Sequence, residues 1–185
     1  METQENPWKI LGSREKYDNS WIRVTEFEVI NPGGGKGIYG KVHFKNIAIG
    51  IVALDENRNL YLVGQYRFTI DKYSWEIPEG GCHLNTEPLD TAKRELLEET
   101  GLKARDWTLL MNMHLSNSVS DEYSYIYLAT GLEQDTAMPE ETEKLEIKKV
   151  SLDEAFQMME QGEVTDSMTV AALQKVKLMQ LEGKL

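Results

Sequence analysis

Two neighbouring stretches decide how this chain is read: Trp75-Glu76-Ile77-Pro78-Glu79-Gly80-Gly81, and then Arg94-Glu95-Leu96-Leu97-Glu98-Glu99-Thr100-Gly101-Leu102. The residues between them predict a helix. Asn85 or Thr86 can cap it, Pro88 stands in its first turn, and Gly101 stops it. At 100° per residue Leu89, Ala92 and Leu96 share one face, and Glu95, Glu98 and Glu99 share another. Three carboxylates on adjacent turns repel one another. Arg94 stands four residues before Glu98 and can pair with it, but it cannot neutralise all three. A hard divalent cation with oxygen ligands, Mg²⁺ or Mn²⁺, would. A bare Glu-x-x-Glu-Glu is more often a solvated acidic face. Here the Gly80-Gly81 turn that precedes the helix allows close backbone approach, and this shifts the weight toward function.

Outward from this segment the pattern is mostly β. Residues 20–31 are β-rich and end at the turn Asn31-Pro32-Gly33-Gly34-Gly35, with Tyr39 to Phe44 as the hairpin partner. Ile47 to Leu54 is an almost continuous apolar run and predicts a central strand. Asp55 to Asn59 is a turn, Leu60 to Tyr66 the next strand, and Trp75 to Ile77 a short one. Leu109 to Leu115, Tyr123 to Ala129 and Leu145 to Val150 complete the strands. Ser151-Leu152-Asp153-Glu154 is a capping box that opens a helix to about Gln161, and a last helix spans about Asp166 to Leu181. The expectation is an α+β or layered mixed-sheet protein. Residues 1–45 are expected to form a separate N-terminal β subdomain, followed by a domain over 46–185.

The 185 residues suit one domain of ordinary size, and 41% apolar with 28% charged residues is a globular composition. The single cysteine, Cys82, excludes an intramolecular disulfide framework and any multi-cysteine zinc site. Thirty-one acidic residues against 20 basic ones give a net charge of −11, which argues against nonspecific binding to nucleic acid. No apolar run reaches the length of a membrane span, and the polar, acidic start is not a signal peptide, so the expected compartment is the cytoplasm. His43, His83 and His114 lack metal-ligand spacing. Cys82 reads as buried filler, and the methionines of the last two helices as core or dimer contacts.

Written out, Gly80, five residues, Thr86, seven residues, then Arg94-Glu95-Leu96-Leu97-Glu98-Glu99-Thr100-Gly101-Leu102 resembles the Nudix box, Gly-x5-Glu-x7-Arg-Glu-U-x-Glu-Glu-x-Gly-U with U aliphatic. Eight of its nine specified positions match, and the departure is Thr86 where the family has glutamate. The resemblance covers about residues 45–180. It implies the Nudix fold, an α/β/α sandwich on a mixed sheet, and hydrolysis of a nucleoside diphosphate linked to another group.

Further features are similar to the branch that cleaves ADP-ribose and other nucleoside diphosphate sugars. Gln65-Tyr66-Arg67 followed by Glu76-Ile77-Pro78-Glu79-Gly80 is one, with Arg67 as a phosphate ligand. The acidic loop Pro139-Glu140-Glu141-Thr142-Glu143 is another. The N-terminal β segment, with Trp21 and Tyr39 as base-stacking aromatics, is the third. Glu122, in a loop resembling the branch's substrate loop, is expected to touch a sugar.

The resemblance implies a metal site made of the Glu79 carbonyl, Glu95, Glu98, Glu99 and Glu143. It implies Glu141 as general base, with Glu98 as the alternative. The cofactor is Mg²⁺, with Mn²⁺ possible. The expected reaction is ADP-ribose to AMP and ribose 5-phosphate. GDP-mannose or a broad range of nucleotide sugars is the alternative within enzymes, and a non-catalytic nucleotide-sugar sensor the alternative of another class. The expected partner is a second copy, in a homodimer that exchanges N-terminal segments.

Overall fold

The N-terminal strands β1 (Lys9–Asp18), β2 (Ile22–Ile30) and β3 (Lys36–Phe44) form an antiparallel sheet in the order β1-β2-β3. The computed structural model describes residues 5–136 and 145–185. Their contacts divide into two compact units, Met1–Asn46 with His114–Glu122, and Ile47–Met113 with Tyr123–Leu185. Between β2 and β3 the Asn31 side chain accepts from the Gly35 amide at 3.0 Å, and Gly34 sits at a φ of 86°, which only glycine adopts cheaply. β1 is the strand the sequence does not announce. Its stretch Lys9-Ile10-Leu11-Gly12-Ser13-Arg14-Glu15-Lys16-Tyr17 lacks a period-2 pattern, because it lies on an edge and two irregularities shift its register against β2.

In the second unit β4 (Asn46–Ala53) is central. It runs parallel to β9 (Tyr123–Gln134) in the four-stranded order β7-β4-β9-β8, where β7 is Glu79–His83 and β8 is Leu102–His114. A second sheet, β10-β5-β6, joins Glu146–Ser151, Asn59–Arg67 and Lys72–Glu76 in antiparallel pairs. Three helices, α1 (Pro88–Thr100), α2 (Leu152–Glu160) and α3 (Ser167–Leu181), accompany these strands among the described residues. Alternation along β4 puts Ile49, Ile51 and Ala53 on one face, where they pack with Ala92 and Leu96 of α1 and with Tyr127 of β9. Gly50 faces the other way, where an added Cβ would meet Ile77 at 2.8 Å. Both faces of β4 are therefore covered, which is why its sequence is apolar without alternation. The expected α+β class with a mixed sheet is what the chain forms.

Element ends differ from expectation in places. The residue before α1 is Glu87, which makes no side-chain cap, so neither Asn85 nor Thr86 caps it; Pro88 supplies the fixed first turn instead. Gly80-Gly81, read as a turn, lies inside the strand Glu79–His83. β8 begins at Leu102, directly after the left-handed Gly101. Ser151 caps α2 as expected, accepting from the Glu154 amide at 3.2 Å, and Asp166 caps α3. Among the described residues no helix is long and apolar enough to cross a membrane.

The Asp55–Asn59 turn closes β4 onto β5. Asp55 accepts from the amides of Asn57 and Asn59 at 2.9 and 2.8 Å, and from Lys149 at 2.7 Å. Burial pushes its carboxyl up, but these bonds outweigh burial and hold it at about 2. A depressed carboxyl contributes stability above its unfolded value, and that contribution fades as pH falls toward 2. Asp55→Asn is therefore expected to lose about 1–2 kcal/mol at neutral pH. Denaturant titrations should show the gap from wild type closing between pH 4 and pH 2.

Candidate active site

The second unit gathers the expected catalytic groups on α1, the β6–β7 connection and the end of β5. Glu95 and Glu99, one turn apart on α1, are 9% and 2% exposed, while Glu98 is more open. The connection Glu76-Ile77-Pro78-Glu79 lies against this turn: the Glu79 amide donates to Glu99 Oε2 at 2.9 Å. At Gly80 the backbone comes so close that an added Cβ would lie 2.1 Å from the Glu95 carboxyl carbon. A methyl there would have to displace the Glu95 carboxylate.

Arg67, from the last position of β5, turns into the same region. Its Nε donates to both oxygens of Glu76 at 3.0 and 2.9 Å, and its Nη2 donates to Glu76 and to Glu79. Burial pulls its pKa down, but the hydrogen bond to Glu76 and the charges of Glu79, Glu76 and Asp166 outweigh it and keep it protonated. Burial first, then Asp166 and Glu76, push the Glu79 carboxyl well above its ordinary value, and Arg67 opposes them. Arg94 donates to Glu98 at 2.5 Å and to Glu95 at 2.6 Å, the first being the pairing the spacing predicts.

α3 fixes the connection from another direction. The buried Thr169 hydroxyl accepts from the Ile77 amide at 3.0 Å and donates to Asp166 at 2.9 Å. Neither residue was singled out in the sequence. The Asp166-x-x-Thr169 cap was the only signal, and it does not reveal which amide the threonine will meet.

The donors suit a hard cation. They are carboxylate oxygens, several of them buried: Glu76 and Glu79 pair with Arg67, Glu95 and Glu98 pair with Arg94, and Glu99 accepts from the Glu79 amide. Among the described residues no three metal-binding side chains converge on one point as a finished cage. Arg94 occupies Glu95 and Glu98, so holding a dication there requires those two carboxylates to turn from Arg94. Glu141 and Glu143 lie outside the described residues.

The other substrate candidates belong to the N-terminal unit. Trp21 precedes β2, 65% exposed, and its carbonyl accepts from the Lys45 amide. Tyr39 is paired with Phe27, six positions further along β2, so the sheet does not bring the two aromatics together within one chain. Tyr39 instead meets Trp8 edge to face at 5.2 Å, and its hydroxyl donates to the Ser118 carbonyl at 2.6 Å. These rings line a cavity of about 380 Å³ together with Ile10, Phe27, Asn117 and Val119. Trp8 was missed because it stands alone before the unpatterned β1. Glu122 follows this loop, and its carbonyl accepts from the Leu115 amide at 3.3 Å. Asp121 beside it accepts from His43, Lys41 and the Phe44 amide, which ties the loop to β3.

Gly80→Ala tests the close approach. The new methyl would push the Glu95 carboxyl away, so Mn²⁺ affinity read by calorimetry or paramagnetic resonance should fall at least about tenfold with helix content unchanged.

Comparison with known proteins identifies the family. The NUDIX domain family matches residues 44–171, and the nucleoside diphosphate sugar hydrolase N-terminal domain matches residues 8–42. An ADP-ribose pyrophosphatase of Mycobacterium tuberculosis is 33% identical over 174 residues, covering 91% of this chain and 83% of that protein. A CMP-5'-(N-acetyl-N-hydroxy-3-aminopropyl)phosphonate hydrolase of Streptomyces rubellomurinus is 31% identical over 166 residues, covering 90% and 80%. A crystal structure of an ADP compounds hydrolase superposes with a TM-score of 0.86 over 99% of this chain and 100% of that one, at 20% identity, which speaks for the fold. Two family matches that together run from residue 8 to residue 171, and a relative 33% identical over most of both chains, lead to one assignment: this protein belongs to the Nudix family of pyrophosphatases.

Proposed function

We propose that this enzyme hydrolyses the pyrophosphate bond of a nucleoside diphosphate sugar with Mg²⁺, and that ADP-ribose, cut to AMP and ribose 5-phosphate, is its substrate. The observation that carries the reading is the joining of opposite functions in one small volume: a fixed, protonated Arg67 beside the buried Glu95–Glu99 turn. A diphosphate needs a guanidinium to hold it and a dication to offset its charge. The choice of ADP-ribose leans on the Mycobacterium tuberculosis relative.

Glu95, Glu98, Glu99 and the Glu79 carbonyl would hold the cation. When bound, it supplies charge neutralisation at the phosphates and a lowered pKa for water. Arg67 grips a phosphate oxygen. Glu141 takes the proton of the attacking water, with Glu143 on the metal side and Glu98 as the alternative base. Water adds to one phosphorus, and the bridging oxygen leaves with the other phosphate. The N-terminal unit contributes the aromatic surface for the base through Trp21 and Tyr39, and Glu122 contacts the sugar.

A homodimer that exchanges N-terminal segments fits the same unit. Of its strand residues from Lys9 to Phe44 only Val29 is buried, while Ile10, Trp21 and Ile38 are 65%, 65% and 70% exposed. Apolar surface on a three-stranded sheet calls for a cover. Light scattering should give twice the chain mass, and a monomer mass would remove the exchanged-segment dimer.

A phosphatase-coupled assay with ADP-ribose, GDP-mannose, UDP-glucose and a nucleoside triphosphate tests the substrate. ADP-ribose should give the highest kcat/KM. Exclusive triphosphate hydrolysis would overturn the nucleotide-sugar reading. Glu99→Gln should abolish Mg²⁺-dependent turnover in a folded protein. Glu141→Gln should lower kcat by about 10²–10⁴-fold with KM little changed, as removal of a general base does.

A further inference from the structure

Glu79 links the two halves of the site. Its Oε1 accepts from Arg67 Nη2, and its main-chain amide donates to Glu99 Oε2 at 2.9 Å. Its side chain is 11% exposed, and Oε2 is buried with no hydrogen-bond partner among the described residues. Glu76 alone already neutralises Arg67, with a two-pronged grip through Nε and Nη2. A second buried carboxylate on the same guanidinium therefore adds no charge balance, and it carries a desolvation cost. Its effect lies in geometry.

A guanidinium has five N–H donors. Glu76 uses Nε and one hydrogen of Nη2, and Glu79 uses the other hydrogen of Nη2. Neither Glu76 nor Glu79 engages the two Nη1 donors, so a phosphate oxygen can bind there without displacing either glutamate. Glu76 ends β6 and Glu79 begins β7. A fork held along one edge can still tilt about that edge. An acceptor from a second strand removes the tilt.

We propose that Glu79 is a positioning residue for phosphate recognition: it fixes the plane of Arg67 so that the Nη1 edge is presented to a diphosphate, and ties that edge through its own amide to Glu99. This rests on Arg67 being the phosphate ligand of the function proposed above.

The test is a double-mutant cycle read by calorimetric titration with ADP in Mg²⁺, which needs no turnover. Glu79→Ala should weaken ADP binding about tenfold, the effect of one hydrogen bond to a charged group. Glu79→Gln keeps an acceptor oxygen and should recover most of that loss. In an Arg67→Ala background, Glu79→Ala should cost less than about twofold more, because it acts through the arginine. In turnover of ADP-ribose the alanine variant should raise KM about tenfold, with kcat falling less than about threefold. Thermal unfolding reports the fold of each variant, and Glu79→Ser replaces the alanine variant in the cycle if that one is unfolded.

Additive losses, a glutamine variant no better than alanine, or tighter ADP binding on removal of Glu79 would each overturn the proposal. A wild type that binds no ADP would overturn it as well. A wild type that binds ADP and cleaves no nucleotide sugar would overturn only the function proposed above, with the cycle still readable.

Discussion

Buried carboxylates need partners, and in the site described here several of them stand around two guanidinium groups. Glu76, Glu79, Glu95, Glu99 and Asp166 crowd one region in which Arg67 and Arg94 are the guanidinium groups. Taking a carboxylate out of water costs several kcal/mol unless hydrogen bonds and opposite charge offset it. The fold meets part of this cost with amides such as that of Glu79 and with the fork of Arg67. Carboxylate oxygens gathered in this way are the donor chemistry that a hard dication takes. The apolar packing of β4 against α1 supports this arrangement.

The two units meet different demands. The second has a conventional core, with Ile49, Ile51, Leu96 and Ala129 buried together, so its helix can carry strained charge on the opposite face. The first buries little and exposes aromatic and branched side chains on a thin sheet. Such a unit is poor at stabilising itself and well suited to offering surface to a ligand or to another copy.

Much of this was legible in the sequence, because the responsible signals are local. The spacing of Arg94, Glu95, Glu98 and Glu99 on one helix, the stop at Gly101, the apolar run of β4 and the Ser151 cap each follow from residues within a few positions of one another. What was not legible depends on partners distant in the chain. β1 has no pattern because its environment is an edge, and Trp8 gains meaning only once Tyr39 stands beside it. Arg67 stands out in the sequence only through the resemblance, as an expected phosphate ligand. Its fixed pose depends on Glu76 and Glu79 across a sheet pairing, and this no single-sequence period reveals.

The contact between Thr169 and the Ile77 amide has a consequence for the far end of the molecule. The β6–β7 connection that leads into Glu79 and Gly80 is braced by the N-terminal turn of a helix distant from it in the chain. α3 works as a buttress, and its N-terminal turn sets the height at which the loop is pinned. A substitution along that turn shifts the Ile77 amide and the backbone that follows it, so engineering of the C-terminal helix for solubility or fusion should begin after Thr169 and leave Asp166 in place.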